Sequence, residues 1–324
     1  MSDTTPIPDL DDIRRAAKRI APHVYRTPVM TCAALDRMLG AELHFKCENL
    51  QRIGAFKIRG ATNAVLSLDD AQASHGVATH SSGNHAAALA LAARERGIAA
   101  YVVMPENAPR TKRAAVADYG AEIIACAPTL AARERTLAEV VERTGAHFVP
   151  PYNDHRVIAG QATAALELLE QVPDLDVVMT PVGGGGLTSG AALAVQYLSP
   201  RTRMIAAEPS GADDAYRSFR SGRLLPVEQP DTIADGLRTS LGDKTFAIIH
   251  RHVDDIVTVE DETIIEAMRL IWERMKLVVE PSAAVPLAAL LAGRLEVGGL
   301  RIGVILSGGN VDLDRLPWLD ESGA

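Results

Sequence analysis

Aromatic residues are scarce in this chain, at 4% of 324 residues, and cysteines scarcer still, at three. Cys32, Cys47 and Cys126 are too few and too scattered for a disulfide framework or a zinc site. Each sits among apolar or small neighbours and reads as a buried filler in a reducing compartment. A basic excess is missing too: the net charge is −8, which removes the electrostatic footprint of a nucleic-acid binder. No apolar run approaches the ~20 residues of a membrane span. Residues 1–12 are acidic and polar, unlike a signal or transit peptide, and a cytoplasmic location is expected. Internal repeats, heptads and low-complexity tracts are also lacking. What remains, 47% hydrophobic, is an ordinary globular composition, long enough for two domains or one large α/β unit.

Short β-rich apolar runs alternate with helical patterns. Strands are expected at 43–47, 77–79, 100–104, 122–126, 177–182, 204–207, 255–259 and 302–306. Helices are expected at 84–95, 157–169, 187–197, 262–275 and 281–291, with Asp261 as an N-cap and Pro281 in a first turn. The strand runs are continuous rather than alternating. That predicts largely parallel sheets covered on both faces, hence α/β. The alternation over about 76–150 would form a small sheet domain, and a longer block follows from 151. The prolines and polar turn of 148–154 mark the crossing between them. In such folds ligands bind beyond the carboxyl ends of strands, so the loops there carry the chemistry.

One of these loops is Gly183-Gly184-Gly185-Gly186-Leu187, between an apolar strand and a helical pattern. Four glycines expose backbone N–H groups at a helix N-terminus and would cradle a phosphate or carboxylate. A tight turn alone needs fewer, at a smaller entropic cost. A nucleoside-triphosphatase loop is excluded, because Leu187 follows Gly186 where lysine is required. A dinucleotide fingerprint stays open: Gly184 and Gly186 open the helix, and Glu208 ends the next strand where a ribose-binding acid belongs. By itself the loop does not decide between a dinucleotide and a phosphorylated coenzyme.

Three further segments bear on that choice. Lys57 lies in the glycine-flanked, partly apolar stretch 49–61, where desolvation would lower its pKa and favour a Schiff base. The loop 80–86 holds Ser81, Ser82, Asn84 and His85 between a strand and a helix, and Ser307-Gly308-Gly309-Asn310 follows the last strand. Together with the glycine loop they resemble the serine racemase and serine/threonine dehydratase family, pyridoxal 5'-phosphate (PLP) enzymes of fold type II. The resemblance runs from about Ile13 to Asp312 with the motifs in family order. It implies the tryptophan-synthase-β-like fold, two open twisted sheet domains flanked by helices. Residues 1–68 and 151–324 would form the large PLP-binding domain and 76–150 the small one.

The resemblance also implies roles. Lys57 would hold PLP with Phe56 beside it, Gly183 to Gly186 and Leu187 would take the phosphate, and Asn84 the phenolic oxygen. Ser307 would face the pyridine nitrogen, with Gly236 and Glu280 completing the coenzyme site. A neutral hydroxyl at that nitrogen draws less charge into the ring than a carboxylate partner would, which favours elimination over transamination. Ser81, Ser82, Asn84, His85, Arg133 and Thr239 would surround the substrate. Freed from PLP, the Lys57 amine would act as base on one face of the substrate. Ser82 either handles a proton on the opposite face or caps the helix. Arg133 is either a solvated helix-face charge, like Arg135, or the partner of a second substrate carboxylate.

Ala55 stands where vertebrate racemases carry serine, and microbial 3-hydroxyaspartate dehydratases look similar to this chain there. The leading expectation is therefore dehydration of 3-hydroxyaspartate to iminosuccinate, then oxaloacetate and ammonia. Serine or threonine dehydration and serine racemisation are the alternatives within the family. A nicotinamide-dependent oxidoreductase and a catalytically silent PLP-binding protein are the alternatives outside it. Glu208, Asp214 and the Ala212 carbonyl resemble the divalent-cation site of the racemase subgroup and would suit Mg²⁺, Ca²⁺ or Mn²⁺, with Asp213 or Asp214 as helix caps the other reading. The chain ends soon after Asp312, so no appended regulatory domain is expected. A homodimer acting on a small hydroxy amino acid, with neither nucleic acid nor membrane as partner, completes the expectation.

Overall fold

Two sheets organise the computed structural model, which describes residues 6–108 and 110–319. In chain order the strands are β1 (Val29–Met30), β2 (Glu42–Cys47), β3 (Val77–His80), β4 (Ala100–Pro105) and β5 (Glu122–Cys126). They continue as β6 (His147–Phe148), β7 (Val177–Pro181), β8 (Arg203–Pro209), β9 (Asp255–Val259) and β10 (Arg301–Leu306). The larger sheet runs β1-β2-β10-β7-β8-β9 and the smaller β5-β4-β3-β6. Every ladder is parallel except the short β1–β2 pair. This is the expected α/β class.

The continuous apolar runs have the consequence read from them. β7 is buried at every position, and β8 and β10 at all but their first. Val177 and Met179 face a core shared with helices Asp261–Leu270 and Pro281–Leu291. Val178, on the opposite side, packs with helices His155–Gln171 and Gly186–Leu198. All three cysteines are buried and free. Among the described residues no helix is long and apolar enough to cross a membrane.

The helix expected at 262–275 departs from the sequence reading at both ends. Asp261 is the first residue of its helix rather than the cap; Glu260 occupies the cap position and makes no side-chain cap bond. The Asp261 carboxylate is instead drawn to the distant loop ahead of helix Asp243–His252, accepting from Thr232 Oγ1 at 2.6 Å and from the Ile233 N–H at 2.7 Å. The α-helix also stops at Leu270, and a π turn over Ile271–Met275 completes the expected span before Lys276 turns left-handed at φ 58°.

What positions the site is the strand order. β2, β10 and β7 are adjacent and parallel, so the segments leaving their carboxyl ends emerge on one edge of the sheet. Those segments carry Lys57, Ser307 and Gly183 respectively. The helix Lys57–Leu66 is pinned from behind by Arg59, which is fully buried. Its guanidinium reaches Glu48 at 2.7 and 2.8 Å and Glu167 at 2.8 and 2.9 Å. Lys46 joins Glu167 at 2.6 Å, so two buried cations share two carboxylates.

Candidate active site

Lys57 opens its helix, and the turn before it is tied to the end of β10. Phe56 N–H donates to Ser307 O at 3.0 Å, Gly309 N–H to Gly54 O at 2.9 Å, and Asn310 Nδ2 to Ile53 O at 2.7 Å. Ile53 and Gly54 take positive φ, 60° and 72°, which the tight return of the chain requires. The half-buried Lys57 donates to Pro151 O at 2.8 Å, and its ammonium stands 5.2 Å from the centre of the Phe56 ring. Desolvation lowers its pKa from 10.5 to about 8, with Glu280 opposing the shift. The helix N-terminus also disfavours a cation there.

The glycine loop leaves β7 one strand away from Ser307. Gly185 is the N-cap of helix Gly186–Leu198 at φ 85°, a conformation that resists side chains. A Cβ on Gly184 would run into the ring of Tyr152, and one on Gly183 would stand 2.9 Å from Leu237 Cα. Glycine is thus demanded by close packing as well as by ligand chemistry, and Thr245 Oγ1 holds the loop by donating to Gly184 O at 2.9 Å. The helix's first N–H groups have no intrahelical acceptors, which makes this end an anion cradle. Leu187 is buried beneath it. Gly236 borders Gly183, and its N–H donates to Ser282 Oγ at 3.1 Å.

Asn84, which opens the helix after β3, and Glu280, at the N-cap of helix Pro281–Leu291, meet. Asn84 Nδ2 donates to both Glu280 oxygens at 3.0 and 3.1 Å, while Asn84 Oδ1 accepts from Asn310 Nδ2 at 2.9 Å. Glu280 lies at the N-cap of the helix Pro281–Leu291, its N–H bonded to Gly308 O at 3.0 Å. The buried Ser307 is the next residue back. Asn310 was visible in its motif but had no assigned role.

On the other side, Ser82 does not cap. Gly83 occupies the N-cap of helix Asn84–Arg96 without a side-chain bond, and it is Ser81 Oγ that accepts the Gly83 N–H, at 3.3 Å. His85 Nε2 meets Val149 O at 3.1 Å, while buried Nδ1 has no partner among the described residues. Burial first, then the Lys57 charge, pushes this imidazole down to about 3, so it is neutral, Nε2 donates, and Nδ1 offers a lone pair. Arg133 is half-buried, and among the described residues its Nε has no partner, unlike exposed Arg135, which lies 3.9 Å from Glu139. Thr239 Oγ1 bonds the Tyr152 hydroxyl at 3.1 Å. Tyr152 and Pro151 were read from the sequence only as part of a turn, and nothing local announced their contacts.

At the end of β8, buried Glu208 accepts from the Ala215 and Tyr216 N–H groups at 3.1 and 2.9 Å. Asp214 accepts from Leu241 N–H at 3.0 Å with one oxygen, and the other is buried without a partner among the described residues. Burial raises both carboxyls, Asp214 to about 6 and Glu208, further loaded by Asp214, well above its ordinary 4.5. Asp213 pairs with Arg217 at 2.7 Å and makes no cap bond. Among the described residues no group of three or more His, Cys, Asp and Glu side chains is placed to hold a metal.

A lysine amine, a glycine cradle and a buried serine beyond the carboxyl ends of adjacent strands of one sheet define a fold-type-II PLP enzyme. A family description, pyridoxal-phosphate dependent enzyme, matches residues 20–308, and the chain belongs to that family. It is 54% identical over 312 residues to a β-hydroxyaspartate dehydratase of Paracoccus denitrificans, covering 96% of this chain and 99% of that protein. It is 48% identical to an L-threo-3-hydroxyaspartate ammonia-lyase of Saccharomyces cerevisiae, covering 97% and 96%. The structure of maize serine racemase superposes with a TM-score of 0.94 at 49% identity, covering 95% of each chain.

Proposed function

We propose that this chain is a lyase that dehydrates 3-hydroxyaspartate, releasing ammonia and the keto acid that hydrolysis of the imine leaves. The observation that carries the substrate is Arg133: a half-buried guanidinium with an unpartnered Nε suits a second carboxylate, and two relatives named for hydroxyaspartate support it. When bound, PLP supplies the electron sink for negative charge at the substrate's α-carbon. Lys57 would anchor it beside Phe56, and its amine, with a pKa lowered to about 8, would accept the α-proton in the neutral form that dominates above about that pH. Gly183 to Gly186 and Leu187 would hold the phosphate. Asn84, oriented by Glu280, would meet the phenolic oxygen, Ser307 the ring nitrogen, and Gly236 would complete the coenzyme site. Ser81, Ser82, Asn84, His85, Arg133 and Thr239 form the substrate wall.

Serine racemisation is a second reading with its own support: Ser82 makes no cap bond, which leaves its hydroxyl available to a proton on the face opposite Lys57. Glu208, Asp214 and the Ala212 carbonyl are the proposed ligands of Mg²⁺ or a similar hard cation, which the unpartnered Asp214 oxygen would meet. The test is keto-acid release by the holoenzyme from the stereoisomers of 3-hydroxyaspartate, compared with serine and threonine. Turnover of a hydroxyaspartate isomer in preference to both supports the reading. Turnover of serine or threonine alone overturns it.

A further inference from the structure

Tyr152 belongs to no motif that the proposed reaction uses, yet it touches both halves of the site. Its ring covers the place a Cβ on Gly184 would need, and its own Cβ would stand 2.9 Å from a Cβ on Gly186. The carbonyl just before it, that of Pro151, receives the Lys57 amine. The residue after it, Asn153, is tied to the first turn of helix Asp243–His252, accepting Lys244 N–H at 3.0 Å and donating to Asp243 at 2.7 Å. The tyrosine is therefore fixed from both sides between lysine and phosphate loop.

Its hydroxyl meets Thr239 Oγ1 at 3.1 Å, and among the described residues neither hydroxyl has another side-chain partner. Two hydroxyls own two hydrogens, and their mutual bond consumes one. Either hydroxyl can donate; with the phenol, the stronger acid, as donor, the threonine O–H is left free and polarised by the bond it accepts. Thr239 lies in the same loop as Gly236 and Leu237, which border Gly183. The spare donor thus sits at the edge of the coenzyme cradle.

We propose that the Tyr152–Thr239 pair reads the hydroxyl on the substrate's β-carbon, with Thr239 as the donor and Tyr152 as the residue that positions it. This rests on the reading of the substrate as 3-hydroxyaspartate. Malate is that substrate without its amino group, and succinate is malate without its hydroxyl, so the two acids isolate the contact. Calorimetry on the holoenzyme is expected to show malate binding about tenfold tighter than succinate, the size of one good hydrogen bond. Thr239→Val and Tyr152→Phe should each remove most of that gap, Thr239→Ser should keep it, and the double variant should lose no more than either single one. The visible spectrum of bound coenzyme, unchanged in all four, separates this from loss of the cradle.

A gap that survives Tyr152→Phe, or an equal loss of both acids, overturns the proposal and leaves the dicarboxylate reading standing. A wild-type holoenzyme that binds neither acid overturns that reading and this inference with it.

Discussion

The Lys57 amine donates to the Pro151 carbonyl oxygen at 2.8 Å, across 94 positions of sequence, and the amine so held has a pKa lowered to about 8. Condensation with an aldehyde needs the neutral amine. A pKa below its ordinary value means that the neutral form dominates above about pH 8 instead of above 10.5. Loading of the apoenzyme with PLP, followed by its colour, should therefore rise with pH and level off just above 8. Glu280 works against the shift, so Glu280→Gln should move the midpoint to lower pH. Lys57→Ala should give colourless protein, and a midpoint near 10 in the wild type would refute the assignment.

Asn84 and Glu280 form a donor–carboxylate pair at 3.0 and 3.1 Å that joins the starts of helices Asn84–Arg96 and Pro281–Leu291. Hydrogen bonds to charged groups contribute about 1.5–3 kcal/mol, so Asn84→Ala should weaken coenzyme binding roughly 10- to 100-fold. Asn84→Asp should be worse, because it sets a second carboxylate against the first. Dialysis of each holoenzyme, with colour retention as the readout, ranks the three proteins. Equal retention would show that the pair is structural only.

Motifs in contiguous residues were legible, and contacts between distant ones were not. The glycines at 183–186 declare a cradle because backbone N–H groups and missing side chains act locally. Ser307 and Lys57 follow apolar strands, and parallel strands deliver their carboxyl ends to one edge. The Tyr152–Thr239 bond spans 87 positions and the Asn84–Glu280 bond 196, so each depends on packing that no short window contains. Asp261 shows the reverse failure. Its local signal as a cap was sound, but Thr232 and the Ile233 N–H compete for the carboxylate and win it. Arg133 and Arg135 look alike in sequence, and only burial separates them.

That separation is measurable. Arg133→Gln should raise KM for 3-hydroxyaspartate about 100-fold while changing serine little, because losing one partner of a desolvated charge pair costs ~2–5 kcal/mol. Arg135→Gln should change neither, since its side chain is 72% exposed and its ion pair with Glu139 is a surface one. Equal effects of Arg133→Gln on both substrates would remove the arginine from the substrate wall.

The unpartnered Asp214 oxygen gives metal removal a predicted sign. A cation that binds only the folded chain stabilises it by about 2.7 kcal/mol at a hundredfold excess over Kd. EDTA should lower the thermal midpoint by several degrees and excess Mg²⁺ should restore it. Asp214→Asn, which lacks the charge, should melt at one temperature with or without Mg²⁺. An unchanged wild-type midpoint under chelation would argue that the site holds no metal.

Arg59 supplies a prediction about stability, because its charge is buried with two carboxylates and has no water to turn to. Removing one partner of such a group typically costs ~3–5 kcal/mol, a large share of the ~5–15 kcal/mol that holds a domain together. Glu48→Gln should accordingly lower the urea midpoint well beyond the effect of Arg26→Ala, whose exposed partner is Glu170. Burial alone would raise the Glu48 pKa, but Arg59 and the Thr27 hydroxyl hold it below its ordinary 4.5. A carboxyl depressed in the folded state contributes fully above its unfolded pKa and loses that contribution as pH falls through the folded value. The gap between wild type and Glu48→Gln should thus be full at pH 7 and shrink as the solution is acidified below about pH 4.5. Because Arg59 sits two residues beyond Lys57 on one helix, the same variant should also release coenzyme faster at neutral pH. Midpoints that match at pH 7 would mean that the network is replaceable, and that the lysine is held by its turn alone.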